Sequence, residues 1–232
     1  MNRNGNTYTF IYASVMVVVV AAILSFTSIS LQPMQKRNIE IEKKKNILTS
    51  VNIIASTDES EAVYAKTITN AYVVNYKGEM VDGDAFTVDL KKEHAKPVEE
   101  RILPVYEADL GSEGLKYVVP LRGAGLWGPI WGYIALNNDL NTIYGANFDH
   151  QGETPGLGAE IATPAFQEVF KGKEIYNDKG EFVSLIVAKA GENAPAIHKV
   201  DAVSGGTITS KGLQEMLYDD LLGYVEFFNK KK

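Results

Sequence analysis

The sequence predicts an α+β domain, a mainly antiparallel sheet with flanking helices, preceded by one N-terminal transmembrane helix. Three observations lead there: a long uncharged apolar run near the N-terminus, short β-type runs separated by hairpin turn residues, and an amphipathic helical pattern that closes the chain. With 45% hydrophobic and 22% charged residues over 232 positions, the composition is that of a folded protein, not a disordered or fibrous one.

The apolar run, Phe10 to Leu31, reads FIYASVMVVVVAAILSFTSISL, 22 residues without a charge. Roughly 20 such residues cross a hydrocarbon core as a helix. A cleaved signal peptide carries an apolar stretch of about 7 to 15 residues ending at a small-residue cleavage site; this run is longer and continues into Gln32-Pro33. The chain therefore divides into a short tail at 1–9, a membrane helix at 10–31, a juxtamembrane connector at 32–56 and a folded domain at 57–232. Ala13, Ser14, Ala21, Ala22 and Ser25 let neighbouring helices approach the span closely. Arg3 precedes the span while Lys36, Arg37, Lys43, Lys44 and Lys45 follow it, which by count alone puts the domain in the cytoplasm. Long domains translocate largely regardless of charge, so the count leaves sidedness open.

From Gln35 to Asn52, Ile39, Ile47, Leu48 and Val51 recur at near-helical spacing within a mixed-charge stretch, read as a solvated helical connector. Strand-type runs follow at Ala71–Tyr76, Ala85–Leu90, Tyr117–Leu121, Ile130–Leu136 and Phe182–Ala188. Turn residues at Tyr76-Lys77-Gly78, Asp82-Gly83 and Asn177-Asp178-Lys179-Gly180 separate several of them. Thr163-Pro164 supplies a cap and a first-turn proline for a short helix that Gly172 stops. From Ser210 onward, Leu213, Met216, Leu217, Leu221, Tyr224 and Phe228 mark the core face of the last helix.

The absence of cysteine excludes a disulfide framework, a thiolate nucleophile and cysteine-ligated metal from this chain's own residues. A net charge of -6 gives a phosphate backbone no general attraction, so no nucleic-acid partner is expected. His94, His150 and His198 lack ligand spacing. No nucleophile elbow, P-loop or zinc-protease motif is present, which leaves hydrolysis without visible machinery.

Three segments carry the functional signal. Gly123-Ala124-Gly125-Leu126-Trp127-Gly128 fits G-x-G-x-x-G, but Pro129 and the strand-like Ile130-Trp131-Gly132-Tyr133-Ile134 stand where a dinucleotide fold needs a helix. It reads instead as a glycine-rich hairpin where Trp127 and Trp131 serve either core or ligand. His150-Gln151-Gly152-Glu153-Thr154-Pro155-Gly156-Leu157-Gly158 is an irregular loop, of the kind that often carries function. Asp201-Ala202-Val203-Ser204-Gly205-Gly206-Thr207-Ile208-Thr209-Ser210 combines two glycines and four hydroxyls ahead of the final helix. Converging N–H groups and a helix N-terminus suit a phosphate; an elaborate cap using Thr209 or Ser210 fits the same residues. Without lysine or arginine in the cluster, a freely exchanging phosphate would be held by neutral donors alone.

Asp201-x-x-Ser204-Gly205-Gly206-Thr207 resembles the flavinylation motif D-x-x-S/T-G-A-T, on which a flavin transferase esterifies the phosphate of FMN to the final threonine; Gly206 replaces the usual alanine. Glu153-Thr154-Pro155-Gly156-Leu157-Gly158 resembles the E-T-P-G-L-G signature of FMN-binding domains in membrane redox complexes, and Gly123 to Tyr133 their W-G hairpin. The order of elements is similar to that of the C subunit of bacterial Na+-translocating NADH:quinone oxidoreductases, with the Rnf G subunit as the related alternative. The resemblance implies that residues 57–232 form an FMN-binding domain with FMN covalently held at Thr207. It also implies that Asp201, Ser204, Gly205, Gly206 and Thr209 surround the attachment, that Glu153, Thr154, Gly156 and Leu157 flank the flavin, and that Trp127 forms a wall. It implies further a relay of electrons within a multisubunit complex in the cytoplasmic membrane. The implied partners are the other subunits, a flavin transferase and membrane lipid, and the domain lies on the periplasmic side where that transferase works. A membrane-anchored binding or scaffold module without flavin is the other reading.

Overall fold

The computed structural model describes residues 5–189 and 191–232. They fall into two compact units, a first ending at Lys43 and a second spanning Lys44–Lys232. The first unit is helical: α1, Asn6–Ser50, takes in the whole apolar run and supplies the second unit's opening residues. Among the described residues it is the one helix long and apolar enough to cross a membrane.

The second unit passes through the short helix α2 (Ser60–Thr67) into a six-stranded antiparallel sheet. Its strands are β1 (Ile68–Asn75), β2 (Met80–Val81), β3 (Ile102–Asp109), β4 (Leu115–Ala124), β5 (Pro129–Leu136) and β6 (Ile143–His150), in the order β2-β1-β3-β4-β5-β6. Because side chains alternate along a strand, neighbouring residues go to opposite faces. Val74, Val105, Val119 and Ile134 join one buried cluster, while Val73, Tyr106, Val118 and Tyr133 join another. The first face is covered by α5 (Thr207–Lys231) through Leu213, Met216, Leu217, Leu221, Tyr224 and Phe228. The hydroxyl of Tyr224 donates to the carbonyl of Pro104. The second face is covered by Ile47 and Val51 and by the segment around Ala85 and Phe86.

Three expectations change. The connector is not solvated throughout, since Ile47, Leu48 and Val51 are buried; Gly145 in β6 admits the backbone carbonyl of Ser50 where a Cβ would collide with it. Ala85–Leu90 is not a strand. The Asp84 side chain accepts from Phe86 N and its carbonyl from Thr87 N, forming a turn, and Asp89 then caps the short helix α3 (Leu90–His94). Of Phe182–Ala188 only β7 (Ile186–Ala188) is a strand, because Ser184 takes a left-handed φ of 59° and breaks the extended run. β3 and β6 carry weaker sequence signals, Pro104 interrupting one and Gly145 the other.

Thr163 caps α4 (Pro164–Glu168) by accepting from Phe166 N, as its spacing predicts. The remaining sheet is small: β7 pairs in parallel with β8 (Lys199–Asp201), which leads directly into α5.

Candidate functional site

The hairpin, the irregular loop and the start of α5 meet at one place. Two glycines make the approach feasible, because a Cβ on Gly212 of α5 would collide with the carbonyl of Ala124, and one on Gly123 would crowd Met216. The first turns of α5 therefore pack on the backbone at the end of β4, just before the hairpin tip.

Past β8 the chain is pinned residue by residue. Ala202 N donates to the Ala188 carbonyl (2.7 Å), Val203 N to Ser210 Oγ (3.1 Å), and Gly206 N to the Val203 carbonyl (3.0 Å). Ser210 thus secures the incoming segment and does not cap the helix. Gly206 is the N-cap and offers no side-chain cap, so the leading N–H groups of α5 lack the partner that a serine or aspartate would give. Thr207, half-buried, opens the helix, and Ser204 and Gly205 before it are exposed. Gly205 has φ 75°, a left-handed conformation suited to glycine, and a Cβ there would stand 2.6 Å from Leu157.

Glu153 organises the meeting point. It is 5% exposed. One carboxylate oxygen accepts from Trp127 N (2.8 Å), the other from the Thr209 hydroxyl. Its own N–H donates to His150 Nδ1 (3.2 Å). Gly125 and Gly158 press on the same carboxylate from two sides, where a Cβ on either would collide with an oxygen. The loop beyond is shaped by Thr154, whose carbonyl accepts from Leu157 N and Ala159 N, and by Gly156, whose N donates to Glu160. Residue by residue, the structure brings Glu153, Thr209 and the backbone of Trp127 together, and Gly205 against Leu157. Gly206 stands beside Gly158, whose N would lie 3.3 Å from a Cβ placed there. Asp201 stands apart, exposed at the end of β8 with Lys199 Nζ 3.6 Å away. With Val203 it borders a cleft of about 700 Å3 that Phe166, Val169 and Lys199 also line.

The hairpin closes with Gly125 N donating to Gly128 O (2.7 Å). Trp127 is 68% exposed and not core, and Leu157 in the facing loop is 41% exposed. Trp131 is half-buried within β5, opposite Arg122 and Asp149. His150, Gly125 and Gly158 lie within the sequence motifs without an assigned role there, and His150's place three residues before Glu153 is the signal for its contact. The donor set is neutral hydroxyls and helix N–H groups, bordered by exposed apolar side chains. That chemistry suits a phosphate joined to a flat, mainly apolar ring, and the residues present fit FMN.

The sequence signature of the FMN-binding domain matches residues 125–221. The C subunit of the Na(+)-translocating NADH-quinone reductase of Vibrio anguillarum is 32% identical over 226 residues, which cover 90% of this chain and 88% of that one. The chain belongs to the family of Na(+)-translocating NADH-quinone reductase C subunits. Among solved C-subunit structures, that from Parabacteroides distasonis is 49% identical and superposes with a TM-score of 0.80, covering 85% of this chain and 96% of its own. NqrC of Shewanella oneidensis is 30% identical with a TM-score of 0.71, covering 85% of this chain and 98% of its own. In this C-subunit family member the matched domain starts at Gly125 of the hairpin and ends at Leu221 in α5, so the hairpin tip, the irregular loop and the start of α5 lie inside it.

Proposed function

We propose that this C subunit carries one FMN as a phosphoester on Thr207 and relays electrons between redox centres of a membrane-bound Na+-translocating NADH:quinone reductase. The observation that carries the reading is the start of α5: a threonine at the first helical position, an N-terminus with no side-chain cap, and exposed Trp127 and Leu157 on the loops beside it. The α5 N–H groups, Ser204, Thr209 and the backbone at Gly205 and Gly206 would hold the phosphate. Glu153, Thr154, Gly156 and Leu157 would flank the ring, and Trp127 would form a wall. Asp201 belongs to the surface that the flavin transferase reads.

Bound flavin supplies the electron-transfer chemistry, and the protein supplies orientation and electrostatics. Thr207 retains the cofactor without needing a high affinity. With Trp127 and Leu157 exposed, a ring held between them would be within reach of partner subunits. Residues 10–31 anchor the chain in the lipid of the cytoplasmic membrane, and the domain faces the periplasm, where the transferase reaches Thr207. An uncharged span offers no ion path of its own, so coupling to Na+ belongs to the assembled complex.

Co-expression with a flavin transferase should add one FMN to the chain's mass and leave a denatured band fluorescent under ultraviolet light. Thr207→Ala should abolish both. A wild-type peptide containing Thr207 that stays unmodified while a control protein is modified disproves the attachment.

A further inference from the structure

Glu153 is a buried carboxylate whose partners carry no positive charge. Each oxygen faces a donor, one a backbone N–H and one a hydroxyl, an arrangement that can hold a carboxylate charge. The imidazole of His150 next to it accepts a hydrogen bond at Nδ1 from Glu153 N. Among the described residues no cation lies within ion-pair distance of Glu153. A charge so placed is screened weakly and acts strongly on its neighbours.

What it touches is the site itself. Trp127, bonded through its N–H, is one wall of the proposed ring site, and Thr209, bonded through its hydroxyl, lies two residues beyond Thr207. Gly125 and Gly158 leave the room that the carboxylate fills, since a Cβ on either would occupy the space of its oxygens. The fold has given up side chains at two positions to hold one negative charge here.

We infer that Glu153 is a potential-setting and positioning residue, its fixed negative charge disfavouring addition of electrons to the flavin and lowering the reduction potential of this redox centre. The inference rests on the proposed attachment at Thr207. In Glu153→Gln the charge is gone while the shape is kept; the amide oxygen still accepts from Trp127 N, and Thr209 Oγ can accept from the amide nitrogen. The potential therefore rises. In Thr209→Ala the charge stays but loses one of its two stabilising donors, so the potential falls. Glu107 provides the control. It is also buried, but it is held by Asn70, Tyr72 and Lys231, and Lys231 ends α5 about 35 Å along the helix from Thr207 at 1.5 Å per residue.

The test is spectroelectrochemical titration of the full chain, matured with a flavin transferase and purified in detergent, at pH 8, with the mass of the Thr207 peptide measured on the same samples. The expected result is a positive shift for Glu153→Gln, a negative shift for Thr209→Ala and no shift for Glu107→Gln. If Glu153→Gln does not fold, the Thr209→Ala shift decides, and a zero or positive value there overturns the inference. An unmodified wild-type Thr207 overturns the functional reading and this inference together. A modified Thr207 with unmoved potentials, or with both variants moving in one direction, overturns the inference alone.

Discussion

Gly158 and Gly206 stand side by side, yet the space around them gives opposite expectations for alanine. A Cβ on Gly158 would collide with Glu153 and come within 2.5 Å of Thr209 Oγ1, both buried and hydrogen-bonded to each other. Gly158→Ala should cost about 1–3 kcal/mol, the usual range for overpacking, and break the Glu153–Thr209 contact. At Gly206 the nearest atoms to a Cβ are Val203 Cγ1 at 3.1 Å and Cβ at 3.2 Å, and φ is -100°. Gly206→Ala needs a shift of a few tenths of an ångström, so it should stay within about 1 kcal/mol of wild type and still accept FMN. Urea midpoints and peptide mass of the two variants check the contrast; equal losses would refute it. The position of Gly205, Gly206 and Thr207 at the start of α5 was legible in the sequence because a motif ahead of a helical pattern is local. The burial of Glu153 was not, since its partners Trp127 and Thr209 lie 26 and 56 residues away.

The same division of legibility holds for the elements. α5 was readable from its three-and-four spacing, whereas β3 and β6 carry a proline and a glycine that weaken an isolated strand and are accommodated only by their neighbours. α5 also holds a feature no periodicity reveals: Asp220, on its core side, pairs with His94 Nε2 at 2.7 Å and accepts from Arg122 N at 2.6 Å. Burial raises its carboxyl above the ordinary value, while His94 and the Arg122 amide pull it back and neighbouring Asp219 pushes it up. The folded state therefore binds this proton more tightly than the unfolded chain does. Its contribution to stability is full below the ordinary carboxylate pKa and is lost as pH rises through the raised folded value. Asp220→Asn has no such titration, so its stability relative to wild type should improve as pH rises from about 4 toward neutrality. Denaturant midpoints of both proteins at a series of pH values measure this, and a constant or falling difference contradicts it.

At the scale of the whole molecule, the two units differ in what they leave exposed. Both hydrophobic clusters draw on residues from Ile47 to Phe228, so the core of the second unit is complete within Lys44–Lys232. The apolar window of α1 has none of its residues buried, a surface that water does not tolerate over such a length. A chain beginning at Lys44 should thus remain soluble without detergent and unfold in one cooperative transition. It keeps Ile47 and Val51, which cover the second face of the sheet, and should match the detergent-purified full chain in near-ultraviolet circular dichroism. A further cut after Val51 should behave differently. It exposes Val73, Tyr106, Val118 and Tyr133, which share a cluster with Ile47 and Val51, and removing such buried aliphatic side chains costs several kcal/mol. The shorter chain should melt lower or lose its cooperative transition, and equal melting of the two truncations would show that the end of α1 contributes nothing to the domain.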